Sequence, residues 1–123
     1  MTGTINTAER QLYDLCFLEQ MNDKIFLREV IELYIRDTDS DLGDMKRAFN
    51  TGDFDTVFRT AHKLKSSTSL LQANKLFAIL GETEIIAQKG AWPNQLDELL
   101  AMARIEFEYL KTALELHLRE IDN

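Results

Sequence analysis

The chain has 123 residues, 45% of them apolar and 28% charged, with a formal net charge of −7. That balance suits one globular domain, residues 1–123, with a real core, and excludes a disordered chain. So acidic a surface repels nucleic acid and anionic membrane, no apolar run approaches the ~18 residues of a membrane span, and no signal peptide opens the chain. With a single cysteine, the expected location is the cytoplasm, and the initial methionine leads to the expectation of a stand-alone protein over an excised domain.

Five glycines and one proline imply few, long elements. Residues 1–8 have no apolar periodicity and are expected to be loosely ordered. A short helix is expected from Glu9 to Gln20, with Leu12, Leu15, Cys16 and Phe17 facing inward and Cys16 packing as a small hydrophobe. Asn22 or Asp23 then caps a long helix from Lys24 to Asn50. Its stripe is Leu27, Val30, Ile31, Tyr34, Thr38, Asp41 or Leu42, Met45 and Phe49, with a kink near Asp37–Ser40 as the competing form. Gly52 ends it and Asp53 caps the next helix, 54–70, striped by Phe54, Val57, Phe58, Ala61, Leu64 and Thr68.

A further helix spans Ala73 to Lys89 and closes at Gly90. Pro93 begins the last one, from Asn94 to Arg119, through Leu96, Leu99, Leu100, Ala103, Phe107, Leu110 and Leu114. Phe26, Phe49, Phe54, Phe58, Phe77 and Phe107 read as core, Trp92 as a loop anchor on the bundle end, and His117 as a cation suited to a helix C-terminus. Short connections make sequential helices antiparallel neighbours. The expected fold is all-α: an antiparallel up-down four-helix bundle with a short extra N-terminal helix.

His62 is the anomaly. At ~100° per residue it falls more than ~100° from the centre of its helix's apolar stripe, so it points outward. Ser66 and Ser69 follow on the same side, and the stem of Lys65 can run along apolar surface beneath. No acidic residue occurs between Thr56 and Gly81, where about four are expected, while Arg59, Lys63, Lys65 and Lys75 all do. This pattern fits an ordinary surface histidine, or one that handles an anion in a locally positive patch. A neutral imidazole can take up a phosphoryl group and pass it on, and neighbouring ammonium groups steady the phosphoryl oxygens. On this view the ring stands clear of the interior and of carboxylates, and burial of the ring or a tie to a carboxylate would undo it. No Cys/His spacing of metal-ligand type, glycine-rich phosphate loop or nucleophile–base pair is present.

The stretch AHKLKSSTSLLQANKLFAILGETE, 61–84, resembles the motif of the histidine-containing phosphotransfer (HPt) domain. Ala61, His62, Leu64, Lys65, Ser67, Leu71, Ala73, Leu76 and Leu80 match in order, and the preceding helix and Gly-Asp turn extend the likeness to about residues 12–118. The resemblance implies a four-helix bundle with His62 as phospho-acceptor and Lys65 holding the phosphoryl group. It implies phosphoryl relay between receiver-domain aspartates, without kinase or ATPase activity. It implies no cofactor on this chain, magnesium belonging to the partner receiver. Partners would be response-regulator receiver domains or a hybrid sensor histidine kinase, met as a monomer. Ser66 and Gln72 stand where the family has glycine; Ser66 can narrow partner choice or donate a hydrogen bond, and Gln72 can reach toward the phosphoryl group or the partner. Arg59, Lys63, Ser69 and Phe58 are expected docking residues, with Leu70, Leu71, Phe17 and Leu18 forming an apolar groove. The alternative is a module that docks on a receiver without accepting phosphate.

Overall fold

The computed structural model describes residues 12–122. Among them are five helices: α1 (Cys16–Glu19), α2 (Lys24–Asn50), α3 (Phe54–Leu70), α4 (Asn74–Lys89) and α5 (Pro93–Asp122). Helix α2 packs on α3 and α5, and α4 packs on α3 and α5, so the four long helices close an antiparallel ring in which α3 and α5 are diagonal.

The boundaries follow from local chemistry. The Asp23 carboxylate accepts from the Phe26 amide and starts α2; Asp53 accepts from the Thr56 amide and hydroxyl and starts α3. Those Thr56 bonds hold the Asp53 carboxyl below its ordinary value. Gly52 (φ +77°) and Gly90 (φ +66°) take the left-handed conformation that lets the chain leave α2 and α4. Helix α2 runs without interruption through Asp37–Ser40, so the kinked alternative is not adopted. Ala73 occupies the cap position of α4 without a side-chain bond. Pro93 begins α5 one residue before the expected start, and its far end passes Arg119 by three residues.

Every residue of the expected α5 stripe is buried, with Phe107 and Leu114 fully enclosed. From α2, Leu27, Ile31, Leu42 and Met45 meet Val57, Ala61 and Leu64 of α3 and Leu76 and Leu80 of α4. One buried polar link crosses this core: Tyr34 Oη and Thr68 Oγ1 lie 2.8 Å apart, with the tyrosine ring edge-on to Phe107. Burial pushes the Tyr34 phenol above its ordinary value.

Several expectations are corrected. The N-terminal helix occupies Cys16–Glu19 instead of Glu9–Gln20, with residues 1–11 outside the described range. Leu18 is its buried residue, and Leu15 just before it is also buried, whereas Cys16 and Phe17 face solvent. A helix beginning at Cys16 turns the 15/18 edge inward and the 16/17 edge out. Of the phenylalanines, only Phe107 is fully buried. Phe49, Phe54 and Phe58 are partly buried and pack against the core as expected, Phe77 is partly buried, and Phe26 is exposed. Trp92 is exposed at the α4–α5 turn, its ring beneath the Lys89 ammonium at 5.3 Å. His117 takes the ring edge of Tyr13, whose hydroxyl is 3.5 Å from Nδ1.

Candidate functional site

The α3–α4 hairpin builds the site. Helix α3 turns back at Leu71–Ala73, where the backbone amides of Leu71 and Gln72 bond to the carbonyls of Thr68 and Ser69. In an antiparallel pair folded about Ala73, position 62 of one helix lies across from position 84 of the other. His62 and Glu84 meet there.

His62 stands on the outer face of α3 with its side chain 67% exposed. Its Nδ1 lies 2.5 Å from Glu84 Oε2. A carboxylate only accepts, so Nδ1 carries the hydrogen and donates it, and in the neutral ring the lone pair is then on Nε2. The second carboxylate oxygen, Oε1, accepts from Lys65 Nζ at 2.7 Å. Glu84 itself is well covered, at 13% side-chain exposure, so this short chain is partly shielded from water. The Lys65 bond first, then the His62 bond, hold the Glu84 carboxyl below its ordinary value against the opposing effect of burial. Beneath the lysine, the ammonium lies 5.5 Å from the centre of the Phe77 ring. The Lys65 stem passes Gly81, where an added Cβ would be 3.9 Å from Cδ. The Phe58 ring lies roughly parallel to the imidazole, centroids 6.4 Å apart. The ring is therefore fixed on one nitrogen and one flank while Nε2 points to solvent.

Two expectations fail here. The ring does not stand clear of carboxylates. The α3–α4 hairpin delivers Glu84 from just beyond the acid-free window. Nor is the surroundings' charge simply positive. Lys63 pairs with Asp41 of α2 at 3.0 Å, Arg59 with Asp55 at 2.9 Å and Lys75 with Glu106 at 3.5 Å. The bond to Asp41 also raises the Lys63 ammonium above its ordinary value. An acid-free stretch of sequence is not an acid-free surface once neighbouring helices contribute their own side chains.

The remaining site residues fall into three groups. Ser66 is exposed one turn beyond His62, and its carbonyl accepts from the Ser69 hydroxyl at 2.7 Å. Gln72 sits in the turn after α3 at φ +50°, ten positions past His62. At ~1.5 Å per residue that is more than about 10 Å along the axis, beyond the reach of its side chain to a group on His62. Leu70 and Phe17 are exposed, but Leu71 and Leu18 are core residues and cannot form a groove. Leu33 and Met21, which sequence reasoning missed, are exposed instead. The Tyr34–Thr68 link sets the α2–α3 register and brings Leu33 level with Leu70. The amide of Asp14 donates to the Leu71 carbonyl at 2.7 Å, which brings the α1 segment to the same end.

Among the described residues, no group of three or more His, Cys, Asp or Glu side chains could hold a metal ion, and no helix is long and apolar enough to cross a membrane. The family model described as Hpt domain matches residues 29–122, well over half of the chain and all of α3, α4 and α5. No curated protein and no solved structure matches the chain.

Proposed function

Because the chain belongs to the Hpt domain family, whose members are phosphotransfer carriers in two-component phosphorelays, we propose that His62 is its phospho-acceptor, loaded from one receiver-domain aspartate and unloaded onto another. The observation that carries this reading is the outward Nε2 of an imidazole whose other nitrogen is bonded to Glu84.

The Nε2 lone pair attacks the phosphorus of an aspartyl phosphate. A P–N bond forms as the P–O bond to the aspartate breaks, and the aspartate leaves as a carboxylate. The ring keeps its Nδ1 hydrogen and gains positive charge, 2.5 Å from an anion already in position. Transfer to the next aspartate runs the same steps backwards. Lys65 has three donors, of which one serves Glu84; the others are available to phosphoryl oxygens on Nε2. Ser66 and Ser69 keep the adjoining surface low for an incoming receiver. Phe58, Arg59 and Lys63 frame the ring, and the exposed Leu70, Leu33 and Phe17 supply an apolar footing toward the Leu71 end of α3, about 12 Å along the helix. Magnesium and the aspartate belong to the receiver, so this chain needs no cofactor of its own.

The test is transfer of radiolabel from a phosphorylated receiver domain to the purified protein. The wild type should acquire acid-labile, base-stable phosphate and the His62→Gln variant none. Label on the variant equal to that on the wild type would remove His62 from the mechanism.

A further inference from the structure

Helix α5 carries a second apolar stripe. Met102, Ile105, Tyr109 and Leu116 recur at spacings of three, four and seven, about 150° from the centre of the core-facing stripe. They are 48%, 57%, 63% and 51% exposed. A groove of about 930 Å³ flanks the stripe, lined by Tyr13, Lys75, Tyr109, Ala113, Leu116 and Glu120 among others. A row of large apolar side chains at coiled-coil spacing beside an open groove is costly to leave in water and suits a partner helix.

Charge selects the partner. Glu98, Glu108, Glu115 and Glu120 border the stripe. The cations beside it are mostly engaged: Arg104 pairs with Asp39 and Glu108, and Lys75 with Glu106. Arg119 remains against Glu98, Glu115 and Glu120. A second copy packed parallel would set Glu115 and Glu120 against their own like, one packed antiparallel about Tyr109 would set Glu98 against Glu120, and anionic lipid would meet the same repulsion. We propose that this face of α5 is a docking site for a basic amphipathic helix of a partner protein. Because α5 is diagonal to α3, such a partner sits on the far side of the bundle from His62, and a receiver domain can dock while it is held. The proposal does not depend on the role of His62.

The experiment titrates isotope-labelled protein with a model helical peptide bearing leucines at three-four spacing and flanking lysines, beside a peptide with glutamates in place of the lysines. Amide shifts confined to α5 and the groove are expected with the basic peptide, weakening as salt is added. Ile105→Asp with Tyr109→Asp should weaken binding by about tenfold or more. Glu115→Lys with Glu120→Lys, which leaves the apolar stripe intact, should shift preference to the acidic peptide. Equal binding of both peptides, or shifts centred on α3, would overturn the proposal. So would a doubling of mass with concentration that Ile105→Asp abolishes, since the face would then belong to a second copy.

Discussion

Replacing Glu84 separates orientation of the imidazole from mere proximity of a polar group. A carboxylate offers two acceptor oxygens, and both are used: Oε2 by His62 Nδ1 at 2.5 Å and Oε1 by Lys65 Nζ at 2.7 Å. In Glu84→Gln one oxygen must serve two donors. If Lys65 keeps it, the amide NH2 faces Nδ1, and the hydrogen moves to Nε2, where it blocks attack. Glutamine should therefore be no better than alanine. A hydrogen bond to a charged group contributes about 1.5–3 kcal/mol, and with the ring two-thirds exposed to competing water the lower end applies. That corresponds to a rate about tenfold slower for either variant, since ~1.4 kcal/mol is one factor of ten. The assay is the single-turnover rate of labelling from a phosphorylated receiver domain, with thermal melts to establish that each variant is folded. Nitrogen chemical shifts of the His62 ring report which atom is protonated. A Glu84→Gln rate within a factor of about two of wild type, with the hydrogen still on Nδ1, would refute the argument.

Lys65→Ala should slow labelling as well, but leave the His62 hydrogen on Nδ1, because the Oε2 bond survives; the ring nitrogen shifts check this. That variant should also let the Glu84 carboxyl rise toward its ordinary value, since Lys65 is the principal cause of its depression; a carbon-detected titration measures it. Asp53→Ala should lower the melting temperature at neutral pH by removing the α3 cap. The folded-state value of Asp53 is depressed, so its contribution is present above the unfolded value and is lost as pH falls through the folded one. The gap between wild type and variant, followed by melts across acid pH, should therefore narrow. Phe107→Ala should cost about 3–5 kcal/mol in chemical denaturation, because the ring is fully enclosed and carries the edge contact to Tyr34.

The long helices were legible because their ends are written locally. Asp23, Gly52, Asp53, Gly90 and Pro93 each act within a turn, and the three-four spacing of the α5 leucines has only one helical solution. Cys16 and Phe17 were misplaced because a helix of four residues is too short for periodicity to choose a face. Glu84 was missed for a different reason. It lies 22 positions from His62 and touches it only through hairpin register. The signal was nonetheless present: reflecting position 62 through the turn near Ala73 lands on 84. The same reflection sets Lys65 against Gly81. The ion partners of Lys63, Arg59 and Lys75 show the complementary limit. Two of the three come from other helices, so a count of charges along the chain overstated the positive potential around the ring.

On the proposed role of His62, a lone nitrogen presented by one helix has a kinetic corollary. Donor and acceptor need the same few square ångströms above it, so they must take turns, and no three-body handover can occur. With the imidazole already oriented, no backbone rearrangement is required between visits. Throughput then depends on how quickly a spent visitor departs, which favours brief encounters over tight ones.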